Sequence, residues 1–305
     1  MRNTTIVRTS KQRGRRTLGV ERLERRTYLA GNVTVAVIAG SLELTGDSSS
    51  NSIQVSQVSA GTWKVLGLAT KVNGSSSART FTGVTGDIDA ALAGGNNFIE
   101  VFNGNVPGDL DISAADGNNT VQILNLKATG DIDVSAGAGA NTITATKVSV
   151  GGDLDISLGT GRDTVAIATA TVGGDLDLSA GNGTNAISVA NVSVSGDLDV
   201  SVGTGHDTVA IASATVGSDL DISAGDGTNT ISIATVSVTG DLDIGTGAGH
   251  DVVAVANATV HGDLDVSAGD GTNAVSIAKV SVSDDLDIAT GDSADTVTVA
   301  TAKVE

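Results

Sequence analysis

The sequence predicts an all-β fold, a parallel β-helix (β-solenoid) wound from a single chain with three short strands in each 22-residue coil. Three observations carry this. A 22-residue unit, seen cleanly in Gly152–Gly173 (GDLDISLGTGRDTVAIATATVG), runs ten times head to tail from Gly86 to Glu305 without insertion or deletion. Self-similarity at a fixed period of this length marks a solenoid. Within the unit, apolar residues alternate with polar ones at period two, the spacing of a half-buried strand and not of a helix. The 40 glycines among 305 residues also argue against a helical repeat.

Numbering the unit 1 to 22 from each opening residue, Asp falls at position 2 in every copy, from Asp87 and Asp109 through Asp153 to Asp285. Position 4 is Asp as well, and the intervening positions 3 and 5 are aliphatic, as in Leu154 and Ile156. This is the first strand, apolar inward and acidic outward. A turn G-x-G-x-(D/N) follows (Gly159, Gly161, Asp163), with Gly supplying positive φ and Asx tolerating it next best. The second strand carries inward residues at positions 14 and 16 (Val165, Ile167), and the third at 19 and 21 (Ala170, Val172). In-register stacking at about 4.8 Å per coil makes a rod on the order of 50 Å long. Five or six aliphatics per coil bring roughly 1.5–3 kcal/mol each, against about 1–2 kcal/mol to order each backbone unit. One coil cannot fold alone, so the stack is cooperative.

A second period overlies the first. Position 12 reads Asn141, Asp163, Asn185, Asp207, Asn229, Asp251, Asn273, Asp295, and position 19 alternates in step between Val (Val148, Val192) and Ala (Ala170, Ala214). The superrepeat is a pair of coils. It doubles the spacing between like charges along the turn column, and stacked Asn side chains can share hydrogen bonds along it.

The formal net charge of −18 conceals an asymmetry: nine of the 17 basic side chains lie within residues 1–26, against two of the 35 acidic ones. An acidic body argues against nucleic acid as partner. The absence of Cys removes disulfides and thiolate ligands, and no apolar run is long enough to span a membrane. Residues 1–31 form a basic arm, read from composition as disordered. Within it Val20–Val33 (VERLERRTYLAGNV) resembles the N-terminal LEPR-XLL segment of large bacterial surface and secreted proteins, the matching residues being Leu23, Glu24, Arg26, Leu29 and Ala30. Arg25 and Tyr28 depart from that pattern. The resemblance implies export, processing near Ala30 and an extracellular or cell-surface destination in a bacterium.

Residues 32–85 read as degenerate N-terminal coils and a cap. Gly40–Thr45 matches positions 1 to 6 and Asn51–Val55 matches 12 to 16, whereas the stretch from Trp63 loses the pattern and gains aromatics. Terminal repeats are commonly atypical because strand edges need covering. The last coil (Asp284–Glu305) adds charge at Asp284, Asp292, Lys303 and Glu305. Charge there blunts edge pairing, and end-to-end self-association through this coil is the alternative.

Candidate ligands are all oxygen. Positions 2 and 4 build a face of Asp153, Asp155, Asp175, Asp177, Asp197, Asp199, Asp219, Asp221 and their counterparts. Neighbouring carboxylates about 5 Å apart raise one another's pKa or recruit calcium, which accepts flexible carboxylate geometry. The simpler reading is a solvated acidic face that keeps the rod soluble. The turns around Asp163, Asp207 and Asp251 resemble the calcium-binding nonapeptide of the repeats-in-toxin family, but their first Gly is replaced and half the copies carry Asn. A plain Gly-Asx turn is the favoured account of them. His206, His250 and His261 fall on different coils or corners. Every candidate is repeated along a column, and no singular acid–base or nucleophile set converges, so catalysis is not expected. The expected function is a non-catalytic structural rod of the cell surface or matrix, adhesive in character. The alternative is a calcium-dependent module that folds after secretion.

Overall fold

The computed structural model describes residues 31–305; all but the last residue of the basic arm, including most of the LEPR-XLL-like segment, lies outside them. Each coil contributes a five-residue strand at positions 3–7, such as Leu154–Leu158, and a nine-residue strand at positions 13–21, such as Thr164–Val172. Each pairs in parallel with its copy one coil away: Leu154 lies opposite Leu176, and Thr164 opposite Ala186. The result is a β-solenoid with one 13-stranded and one 14-stranded sheet along its axis.

The second and third apolar runs are two arms of one hydrogen-bonded strand. They meet at position 18, which has positive φ in every coil: Thr169 at 59°, Lys147 at 56°, Asn191 at 56°. The ladder skips this residue, pairing Ala168 with Ala190 and then Ala170 with Val192. In one coil the corner separates the arms outright, into Val252–Ala256 and Thr259–Val260. The left-handed residue shifts the alternation by one, so Val165 and Ile167 before it and Ala170 and Val172 after it are all buried. Without that shift the third run would face solvent. The position is filled by Asn at Asn103, Asn125, Asn191 and Asn257, and by Thr, Lys or Ser elsewhere. A β-branched side chain is the least suited to it.

Seven apolar positions per coil are buried: 3, 5, 7, 14, 16, 19 and 21, as in Leu154, Ile156, Leu158, Val165, Ile167, Ala170 and Val172. Positions 7 and 19 compensate in volume. Ala136, Ala180, Ala224 and Ala268 at position 7 accompany Val148, Val192, Val236 and Val280 at position 19. The intervening coils reverse the sizes, with Leu158 beside Ala170 and Val202 beside Ala214 in the same coil. Each coil therefore encloses a similar side-chain volume, as stacking at native density demands.

The first coil, Gly40–Ser59, sits in register with the repeats: Leu42 pairs with Ile88 and Ile53 with Ile99. Residues 32–38 and 62–67 turn back antiparallel on its two strands, and Arg79–Thr82 extends the second layer. Trp63 is fully buried here, and a Cβ on Gly104 would strike its indole ring. Gly104 holds position 19, where other coils carry Val, Leu or Ala, so the missing side chain makes room for the tryptophan. At the far end Val297, Val299 and Val304 are 47–48 % exposed, and Leu286 and Ile288 are only partly buried. Among the described residues no helix is long and apolar enough to cross a membrane.

Two predictions follow from this geometry. Replacing exposed Thr169 by Asn relieves the left-handed corner and raises stability by about 0.5–1 kcal/mol, measured by thermal or denaturant melting. Ala170→Val overpacks its coil at a cost of about 1–3 kcal/mol. Combined with Leu158→Ala, it costs less than the two single changes together, a coupling that a double-mutant cycle detects.

Candidate functional site

The acidic residues singled out by the repeat occupy three different environments. At position 2 the carboxylate belongs to the backbone framework. Asp153 Oδ1 accepts the N–H of Asp175 at 2.8 Å, Asp175 that of Asp197 at 2.9 Å, and Asp197 that of Asp219 at 3.0 Å. The same bond runs from Asp87 to Asp285, and Ser41 Oγ starts the column by accepting from Asp87. Position 1 is Gly because a Cβ on Gly174 would occupy the place of Asp153 Oδ1. Where Ser218 replaces that Gly, its hydroxyl bonds Asp197 and, with the Asp219 N–H, holds that carboxyl below the usual range.

At position 4 the side chains point outward from the five-residue strands, each opposite its copy in the next coil: Asp155 opposite Asp133 and Asp177, Asp199 opposite Asp177 and Asp221. Partial burial comes first, followed by proton-sharing with Asp89 and Asp133 and repulsion from them; together these push Asp111 up to about 7. Burial and then the flanking carboxylates push Asp155 and Asp199 to about 6. Asp221, Asp243 and Asp265 are raised for the same reasons. With position 6 (Ser113 and Ser135 near one end, Ser267 near the other) this column lines two shallow, open grooves on the outer face of the short-strand sheet. Chemically it is an array of stacked carboxyls and hydroxyls, with Asp111, Asp155 and Asp199 raised furthest.

At position 12 the Asx side chain points inward. Asn51, Asn97, Asn119, Asn141, Asp163, Asn185, Asp207, Asn229, Asp251 and Asn273 are all at most 2 % exposed. Each donates its backbone N–H to the Oδ1 of the next coil, for instance Asn141 to Asp163 at 2.8 Å and Asp163 to Asn185 at 3.1 Å. The chain of bonds is unbroken from Asn51 to Asp295. Its direction is opposite to that of position 2, where the N–H of the later coil donates to the earlier one. Between the two, the Gly of position 10 has positive φ (Gly95 at 99°, Gly271 at 133°), and a Cβ on Gly183 would meet the carbonyl of Gly161.

The structure thus sets Asp153, Asp175, Asp197 and Asp219 in one ladder and Asp155, Asp177, Asp199 and Asp221 in one outward-facing carboxyl column. Asp163, Asp207 and Asp251 are in the interior. Among the described residues no group of three or more His, Cys, Asp or Glu is arranged to hold a metal ion. His250 and His261 face main-chain carbonyls, of Thr272 at 3.4 Å and Val238 at 3.0 Å. The inward aim of position 12 and the Ser column of position 6 escaped the sequence reading. The signal for the first was that Asx is never replaced there by another polar residue. No protein-family model, curated protein or solved structure matches this chain.

The raised position-4 carboxyls set the sign of a pH effect. A folded-state pKa above the unfolded value gives stability that is complete below about pH 4 and lost as pH rises through the folded values, here about 6 to 7 for Asp111, Asp155 and Asp199. The melting temperature is expected to fall between about pH 4 and pH 8. Asp155→Asn with Asp199→Asn flattens that fall and stabilises the rod at the upper end by about 1 kcal/mol per site after allowance for solvent screening.

Proposed function

We propose that this chain is a non-catalytic structural rod of a bacterial cell surface or extracellular matrix, adhesive through its repeated faces. The observation that carries the reading is the engagement of the repeated residues in stacking. Position 2, position 12 and the two sheets all hold one coil to the next, so the conserved chemistry of the unit is spent on building length. The export-like segment around Leu23, Glu24, Arg26, Leu29 and Ala30 supports the destination.

A second reading, a calcium-dependent module that folds after secretion, is favoured by the carboxylate column at position 4, whose mutual repulsion a divalent cation would relieve. The full chain, followed by circular dichroism through thermal melting in EDTA and then in millimolar calcium, separates the two. A β spectrum and the same melt in both conditions is the result expected for the rod. A chain disordered in EDTA that folds with calcium would replace the first reading by the second, and turnover of a polysaccharide would sink both.

A further inference from the structure

The turn column contains an atom that the stacking does not use. In the Asn coils the side-chain Nδ2–H donates to the position-8 carbonyl of its own turn: Asn141 to Gly137 at 2.9 Å, and Asn185 to Gly181, Asn229 to Gly225 and Asn273 to Gly269 at 2.7 Å. Asp163, Asp207 and Asp251 fill the same position in the intervening coils and are 1–2 % exposed. Their Oδ1 makes the same ladder bond, accepting from Asn141, Asn185 and Asn229 at 2.8, 2.7 and 2.8 Å. Their Oδ2 replaces the amide nitrogen, and in all three it is buried with no hydrogen-bond partner. An ionised Oδ2 there would be an acceptor set among acceptors, with its charge out of water. A protonated Oδ2 is instead a donor, as the amide is, and reproduces the bond that the neighbouring coils make.

We propose that Asp163 and Asp207 are neutral carboxylic acids in the folded protein, each Oδ2–H donating to the position-8 carbonyl of its turn (Gly159 and Gly203), so that folding takes up two protons from solvent. The groups around them do not supply a compensating positive charge from within. Asn141, Asn185 and Asn229 flank them along the column. Arg162 and His206 precede them in sequence, on the exposed side of the turn. The acids nearest along the turns, Asp226 and Asp270, are exposed and bond to main chain of the following coil. Burial pushes Asp163 and Asp207 up against the lowering effect of the Asn141 and Asn185 amides and, for Asp207, of His206. The consequence is a rod whose middle coils tighten in acid and loosen as the medium turns alkaline, because stability tied to a raised pKa is complete below the unfolded value and lost above the folded one.

The test is carbon-13 NMR of the full chain labelled at aspartate Cγ, with the two signals assigned by their loss in D163N and D207N. Each substitution installs the residue that neighbouring coils already carry, so the variants fold. The expected result is protonated carboxyl signals at about pH 6, roughly two units above the pKa of free aspartate. The unfolding equilibrium should also lose a dependence of about tenfold per pH unit for each Asp replaced. Ionised signals at that pH, or a slope unchanged in the D163N/D207N double variant, would overturn the proposal. So would an EDTA-sensitive melt present in the wild type and absent from the double variant, which would place a cation on Oδ2. The NMR and pH-slope outcomes do not bear on whether the molecule serves as a rod.

Discussion

A parallel coil cannot close its own corners. The strands pair through their main chains, but at each turn the backbone leaves the sheet, and a buried N–H there must find an acceptor or forfeit its share of stability. This chain meets the requirement with short side chains that carry a carboxylate or amide acceptor. Asp at position 2 and Asx at position 12 each accept one amide from an adjacent coil, the first from the coil after and the second from the coil before. With one column bonding in each direction, every interior coil is held from both sides at both of these turns. The rest of the unit is arranged around those two columns. Gly at position 1 clears room for a carboxylate, and Gly at position 10 lets neighbouring turns approach.

The same logic explains why the repeat tolerates so little variation in length and so much in detail. A one-residue slip would break both Asx columns and turn every inward residue outward. Exchange of a large for a small residue within a coil is absorbed when another position compensates, as Leu158 with Ala170 and Ala180 with Val192 show. At the N-terminal end, Trp63 and Gly104 make the same exchange between the covering layer and the first full repeat. Core volume per coil, and not the identity of any one side chain, is what the stack conserves.

Electrostatically the molecule divides its acids by task. Position 2 carboxylates are stabilised by amide donors, and at Asp197 by Ser218 as well. At position 4, burial and then the neighbouring carboxylates raise Asp111, Asp155 and Asp199. Three at position 12 lie inside. The stability of the stack therefore depends on pH through the coils whose position-4 carboxyls are raised, those of Asp111, Asp155 and Asp199 foremost.

Much of this was legible without coordinates. The 22-residue period, the period-two alternation and the invariant Asp at position 2 determine a parallel β-solenoid, its register and the inward residues at positions 3, 5, 14, 16, 19 and 21. The phase break between Ile167 and Ala170 even announces a corner. Its form belongs to the tertiary structure: Thr, Lys and Ser have no local preference for positive φ, and only the ladder on either side of Thr169 holds it there. The antiparallel return of residues 62–67 likewise has no periodic signature and is set by the edge it covers. The difference between the Asp columns was also out of reach. Local sequence fixes whether a side chain alternates in or out of a strand, but position 2 and position 12 lie at turns. There the direction of a carboxylate depends on which coil offers it an amide, and that is decided only when the coils stack.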